Sequence, residues 1–200
     1  MTTSQNRVSS PSTLGIVLDR WSPRAFTDAP ISWDELSSII EAARWAPSAY
    51  NSQPWRFLVA RKGTPEWETF LSWLIPFNQS WASNASALVY IASRTVMLSP
   101  SGETVPATTH EFDAGAASML LHLQANHLGW ATHAMSGFDA EAAKKGLSAP
   151  EEFKIHAAVA IGRQGPAELL PEGLRPRETP SGRAPLATVA WEGPFKEQEG

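Results

Sequence analysis

Residues 44–60 read Arg44-Trp45-Ala46-Pro47-Ser48-Ala49-Tyr50-Asn51-Ser52-Gln53-Pro54-Trp55-Arg56-Phe57-Leu58-Val59-Ala60, and within them an amphipathic helix stops, a polar loop turns and an apolar strand begins. Upstream, Ser32-Trp33-Asp34-Glu35 has the form of a capping box, with Leu36, Ile39, Ile40 and Ala43 at helical spacing behind it. Pro47 lacks the N–H and the room to continue that helix, so the chain must leave it there. Trp55 to Ala60 predicts a buried strand. Ser48, Tyr50, Asn51, Ser52 and Gln53 carry more hydrogen-bonding groups than a turn requires, which suits a polar planar ligand. The same residues would also suffice for a turn that satisfies only its own backbone.

A chain of 200 residues, 42% of them hydrophobic, can bury one sizeable core, and no neutral linker divides it. The net charge of −4, with basic residues scattered, argues against nucleic acid and anionic membrane as partners but allows a small anion held by a few arginines. The absence of cysteine removes thiol nucleophiles, disulfides, iron–sulfur clusters and cysteine-ligated zinc. No apolar segment suggests export or a membrane span, so a cytoplasmic location is expected. Nine tryptophans suit core or subunit-interface anchoring, or the wall of an aromatic-ligand site.

Residues 1–11 are expected to be disordered and 12–200 to form a single domain, with 163–200 as an extended arm. Ser12 to Asp19 predicts a short helix that delivers Arg20-Trp21-Ser22-Pro23-Arg24. In an extended segment Arg20, Ser22 and Arg24 project to one side, offering two guanidinium forks and a hydroxyl to an anion. Alternatively one arginine satisfies helix carbonyls and the other forms a surface salt bridge. Pro65 to Ile75 predicts a helix with Trp67, Phe70, Leu71 and Leu74 on one face, interrupted by Pro76-Phe77-Asn78-Gln79, where Asn78 reads as a turn residue.

Ala87 to Ala92 has the length and composition of a central strand, and Ser99 to Thr108 reads as a loop. Thr108 and Glu111 suggest a second capping box, opening a helix with Phe112, Ala116, Met119, Leu120 and Leu123 at apolar spacing and an end at Gly129. Its small residues Ala114 to Ala117 suit a central helix, either at a dimer interface or inside a monomer. Trp130 to Phe138 predicts a strand opening into a loop, where Gly137 would let backbone approach a ligand, and Asp139 caps a following helix. Ala157 to Ile161 is a further strand. The last 38 residues, with 6 prolines and 5 glycines, must either stay disordered or lie across another surface. The five histidines show no metal-ligand spacing, and no dinucleotide glycine fingerprint, phosphate-binding P-loop or nucleophile elbow occurs.

Four pieces occur together in order: Arg20-x-Ser22-x-Arg24, the Pro47-Ser48-Ala49-Tyr50-Asn51-Ser52-Gln53-Pro54-Trp55 loop, the long helix running into Gly129-Trp130-Ala131, and Gly182-Arg183-Ala184-Pro185-Leu186. From about Arg20 to Leu186 the sequence resembles the FMN-dependent nitroreductase family. The resemblance implies an α+β fold, a mixed central β-sheet flanked by helices, and an intertwined homodimer with flavin sites at its interface and the C-terminal extension over the partner. It implies FMN as cofactor, NAD(P)H as electron donor, and a small-molecule acceptor such as a nitroaromatic or quinone.

By the same resemblance, the Arg20-Trp21-Ser22 segment and Arg183 would hold the phosphate and ribityl end. Arg24 would face the flavin N1 and O2 edge, and Asn78 would contact the ring or ribityl chain. Met135, Ser136 and Gly137 would lie beside N5, while Pro47, Ser48, Ala49 and Asn51 would pack against the flavin of the other subunit. No catalytic acid or base is implied, because the flavin carries the chemistry. Ala49 stands where many relatives have a second serine, and Trp81 and Ser181 where a basic residue is common, leaving Trp81 to wall an acceptor pocket. The same scaffold also serves enone or semialdehyde reduction, reductive dehalogenation, flavin fragmentation and flavin storage without turnover.

Overall fold

The computed structural model describes Arg7 and residues 12–195, so the expectation of disorder over residues 1–11 falls, Arg7 apart, outside the described residues. The capping box forms as read. Ser32 Oγ accepts from the Glu35 N–H and the Glu35 carboxylate accepts from the Ser32 N–H, which opens helix α2 (Trp33–Arg44) behind the short α1 (Gly15–Asp19). Strand β1 (Trp55–Arg61) follows the loop.

The central sheet also contains β2 (Ala87–Arg94), with a small hairpin of β3 (Val96–Leu98) and β4 (Thr104–Pro106) beyond it. β5 (Ala131–Met135) and β6 (Phe153–Gly162) complete it in the order β1-β2-β6-β5, every pairing antiparallel. Alternate residues of each strand serve two cores, because strand side chains alternate across the sheet. Ala87, Val89 and Ile91 of β2 join Val159 and Ile161 of β6 beneath α2 and α5 (His110–His127). Leu88, Tyr90 and Ala92 face the opposite core with Trp67, Phe70, Trp73 and Trp81. A bulge between Ile91 and Ala92 shifts the β2–β6 register across His156, so that Ile155 joins the same core as Ala158 and Ala160.

The structure corrects several sequence expectations. The Pro65–Ile75 helix is shorter, as α3 (Trp67–Ser72), and Pro76-Phe77-Asn78-Gln79 does not end the helical region: Pro76 opens α4 (Pro76–Ala82), where its missing N–H costs nothing. Asn78 is therefore a buried helix residue instead of a turn residue. The Ser99–Thr108 stretch contains half of the β3–β4 hairpin. The second capping box does not form; Thr109 is the N-cap, and its hydroxyl donates to Asp113.

The buried face of α5 consists of Ala114, Ala117, Leu121 and Ala125, whereas Phe112 and Met119 are exposed. Apolar residues all round the helix left the sequence unable to say which face is inward. Asp139 caps the short helix α6 (Ala140–Gly146) as expected. The first half of the arm packs on its own chain, with Leu170 and Leu174 buried in the core; Leu186, Val189 and Phe195 are exposed. Among the described residues no helix is long and apolar enough to cross a membrane.

Candidate functional site

The chain leaves α1 at Arg20 in extended conformation and runs to Phe26, which bridges Gln164 at the start of the arm. Returning, the arm brings Glu178 under this segment, and one carboxylate oxygen accepts from the N–H groups of Arg24 and Ala25, both at 2.8 Å. The two strips border a cavity of about 520 Å³ lined by Arg7, Arg20, Trp21, Trp130, Gln164 and Glu178, among others. Arg20 Nη1 donates to Ser22 Oγ at 3.2 Å, so these two side chains share one side of the extended segment.

Arg7 is a functional candidate the sequence reading missed. Its guanidinium donates to the carbonyls of Leu18 at 2.7 Å, Arg20 at 2.5 Å and Ser181 at 3.2 Å. Burial, then the charges of Arg7 and Arg183, push Arg20 below the ordinary arginine value. Arg7 is pushed the same way by burial and Arg183, with Asp19 opposing. Three guanidiniums thus share one electrostatic neighbourhood, a feature that a lone arginine in a polar N-terminal stretch could not announce. Arg183 is exposed and donates to Ser181 and Gly182.

Beyond Ser22, the Arg24 guanidinium sits 6.0 Å from the Trp81 ring centroid, near the outer limit for cation–π attraction. Burial, then the charge of Arg177, lowers its pKa against the opposing Glu178. Trp81 is buried in the core against Phe26 and His133, so it does not wall an open pocket as expected from sequence. His133 Nδ1 lies 3.0 Å from the Pro23 carbonyl, a contact that requires the proton on that nitrogen. Burial above all, with the charges of Arg24 and Arg20, pushes its pKa down to about 4, so it is neutral at pH 7. Among the described residues, Arg24 Nε, Trp81 Nε1 and Glu178 Oε2 are buried without a hydrogen-bond partner.

Along β5 the track reaches Met135, which is buried, then Ser136 and Gly137. Asn78 Nδ2 and the Ile75 N–H both donate to the Gly137 carbonyl, at 2.9 and 3.1 Å. A Cβ at Gly137 would stand 2.7 Å from both Asn78 Nδ2 and Ile75 Cδ1. The glycine therefore admits α4, a protein neighbour, where the sequence suggested room for a ligand. Of the residues read from sequence, Arg20 and Trp21 line the cavity and Ser22 bonds to Arg20, Arg183 lies close enough to Arg20 for its charge to act on it, and Asn78 holds the Gly137 carbonyl at the end of the Met135–Gly137 segment.

The loop of Pro47, Ser48, Ala49 and Asn51 is not brought to them. Ala49 N donates to Asp113 Oδ2 in the first turn of α5, whereas Asn126, in its last turn, lines the arginine cavity. Thirteen residues of helix separate these two points by roughly 20 Å at 1.5 Å per residue. Within the loop, Ser48 Oγ accepts from Gln53 N, so part of its polar capacity serves its own backbone. Tyr50, Asn51 and Gln53 nevertheless hold left-handed φ values of 53°, 52° and 46°. Such a conformation is rare for a bulky residue and persists only where the surroundings impose it. Asp113 was the second residue missed by sequence reading.

The architecture recurs in known proteins. A crystal structure described as an oxidoreductase containing FMN superimposes with a TM-score of 0.94 at 46% identity, over 99% of this chain and 100% of that one. A candidate nitroreductase of Desulfovibrio desulfuricans in complex with FMN gives a TM-score of 0.69 at 25% identity, over 91% of this chain and 96% of the other. In sequence, a candidate NAD(P)H nitroreductase of Bacillus subtilis, YdgI, is 29% identical over 143 residues, 56% of this chain and 68% of the relative. The profile described as the nitroreductase family matches residues 17–66 and 74–163, spanning the Arg20–Arg24 segment, the Pro47–Asn51 loop and the Met135–Gly137 strand end. On that match, the chain belongs to the nitroreductase family.

Proposed function

We propose that the protein is an FMN-dependent oxidoreductase that takes hydride from NAD(P)H and passes it through flavin N5 to a small acceptor such as a nitroaromatic or quinone. It works by a ping-pong sequence, as a homodimer with one flavin at each shared site. The observation that carries this reading is the cavity lined by Arg7 and Arg20, on the extended segment that also carries Arg24, whose buried Nε has no hydrogen-bond partner among the described residues. Buried polar groups are almost always hydrogen-bonded and guanidiniums offer charge-assisted bonds, so the segment fits a polar ligand with an anionic end.

When bound, FMN supplies a ring that accepts and returns hydride at N5. Arg20, with Ser22 bonded to it, would hold the phosphate together with Arg7 and Arg183, because a dianion is stable in a partly buried site only against such charges. Arg24 would supply a positive charge to the ring, which gains negative charge on reduction. Asn78 clamps the Gly137 carbonyl and so stiffens the Met135–Gly137 segment that would lie against the ring. The buried neutral His133 positions Pro23 and is not offered as a proton donor.

The homodimer is supported by the loop's distance from the arginine track: Pro47, Ser48, Ala49 and Asn51 would reach the flavin held mainly by a second copy. The exposed Phe112 and Met119 on α5, with open space over Gly115, offer an apolar face to that copy. The exposed Leu186, Val189 and Phe195 suit an arm lying over it.

Anaerobic titration of the FMN-loaded protein with NADH and NADPH tests the reading. Bleaching by either, reversed by a nitroaromatic or quinone, is the expected result. A yellow protein bleached by neither would be a flavin store, and one that FMN cannot reconstitute would end the proposal. Parallel double-reciprocal lines are expected in steady state, and intersecting lines would remove the ping-pong sequence.

A further inference from the structure

A second cleft, of about 240 Å³, opens on the loop where Tyr50 and Gln53 meet Arg56 of β1, Arg94 of β2 and Met97 and Leu98 of β3. We propose that this cleft holds the anionic group of the molecule that exchanges hydride with the flavin, either a carboxylate on an aromatic acceptor or the 2′-phosphate of the dinucleotide donor. It rests on the oxidoreductase reading above and adds to it the residues that choose between charged and neutral substrates.

Charge is the first argument. Arg56 Nη1 donates to the carbonyls of Gln53 at 3.2 Å and Trp55 at 2.7 Å, which fixes the plane of the guanidinium. Among the described residues its Nε and Nη2 have no hydrogen-bond partner, and no carboxylate pairs with it. Arg94 has only Glu152, at 3.5 Å and well exposed to solvent, a pairing of little strength. Two guanidiniums therefore line the cleft against one carboxylate, which is weakly paired with Arg94 alone. An incoming carboxylate or phosphate gains charge-assisted hydrogen bonds there without displacing a strong ion pair.

Shape is the second. Tyr50 is 79% exposed although its backbone takes the left-handed conformation that bulky residues seldom adopt. Met97 and the exposed Leu98 supply an apolar surface on the same cleft. Aromatic and apolar walls with two cations match a flat or sugar-borne body carrying one anionic group. The volume is smaller than the several hundred Å³ of whole-ligand sites, so it is a subsite for one ring or one phosphate-bearing sugar. Its position is the third, because Tyr50 lies between Ala49 and Asn51, which would wall the flavin of the second copy. A molecule stacked there would extend into this cleft.

The test is the double variant Arg56→Gln/Arg94→Gln, with Arg56→Lys/Arg94→Lys as the charge-preserving partner and the melting temperature of each as a folding check. In one arm, para-nitrobenzoate and nitrobenzene are compared as acceptors with NADH; in the other, NADPH and NADH are compared with a neutral acceptor. For the anionic member of one arm, kcat/KM should fall about tenfold or more while its neutral counterpart stays within about twofold, and the lysine variant should recover part of the loss. The arm that responds identifies the source of the anion. Equal losses for charged and neutral substrates, or no loss in either arm, would overturn the proposal.

Calorimetric titration with para-nitrobenzoate and adenosine 2′-phosphate supplies a readout without turnover. Should the protein fail to bind FMN, the oxidoreductase reading falls while this titration still tests the cleft. Arginine-dependent binding keeps the anion subsite, and binding that is absent or indifferent to the arginines removes it.

Discussion

Arg7 Nη1 donates to the carbonyl oxygen of Arg20 at 2.5 Å, while Nε of the same side chain reaches the carbonyl of Ser181 in the arm. One residue near the N-terminus thereby ties the exit of α1 to the arm, around the cavity those segments border. Its charge adds to those of Arg20 and Arg183, and an anion bound there would offset both the burial, which is the larger cause, and the repulsion that lower the pKa of Arg20.

Arg7→Gln should therefore weaken FMN by roughly 10–100-fold and leave riboflavin, which has no phosphate, within about twofold. Arg183→Ala should cost less, about tenfold, because Arg183 is exposed and already bonded to Ser181 and Gly182. Equilibrium titrations of both flavins by fluorescence quenching distinguish the outcomes. Equal weakening of FMN and riboflavin would mean that Arg7 acts only by fastening the arm.

Asp113 is 4% exposed and accepts from the Ala49 N–H and the Thr109 hydroxyl. Asp113→Ala strands the Ala49 N–H and should destabilise by about 1–3 kcal/mol, with on the order of 2–4 °C of melting temperature per kcal/mol for a chain of this size. Asp113→Asn keeps an acceptor and should lose less. A melting curve unchanged by either substitution would show that the loop holds its left-handed residues without this contact.

His133 and His122 both have pKa values lowered to about 4, chiefly by burial, with nearby arginine charges adding to it. Below the unfolded value of about 6.5 the unfolded chain takes up protons that the folded chain refuses, so stability is lost as pH falls from about 6.5 toward 4. The pair should account for a few kcal/mol over that window, because each tenfold difference in proton affinity between the folded and unfolded chain is worth about 1.4 kcal/mol. Denaturant unfolding at a series of pH values checks this, and His133→Asn should flatten the slope. An equally steep profile in that variant would assign the loss to other groups.

Gly137→Ala places a methyl group 2.7 Å from Asn78 Nδ2 and Ile75 Cδ1. Asn78 is buried and bonded to the Gly137 carbonyl, so it cannot swing away without giving up that bond. The expected cost is about 1–3 kcal/mol, with a shifted visible spectrum of bound flavin. Unchanged stability together with an unchanged spectrum would show that the clasp yields freely.

Local features of the sequence survive in the structure where local chemistry suffices. The Ser32–Glu35 box, the strand after Pro54, the Asp139 cap and the Arg20–Ser22 pairing each depend on residues a few positions apart. The inward face of α5 was not legible, because its apolar residues surround the axis and only packing on the sheet selects Ala114, Ala117, Leu121 and Ala125. The turn of His156 onto Ser93 Oγ, at 2.6 Å, follows from the β6 bulge, which no single-strand pattern displays.

By itself the sequence determined the capped helix before the loop, the strands that follow it, the polar loop between two prolines, the arginine pair and the lack of thiol chemistry, all consequences of residue type and short-range spacing. Only the tertiary structure decided that Arg7 joins Arg20 and Arg183, that Asn78 clasps Gly137, and that Asp113 anchors the loop at the far end of α5 from the arginine cavity. Those relationships join residues 13 to 176 positions apart and arise when the sheet buries both its faces, a free energy that belongs to the whole chain and to no window of it.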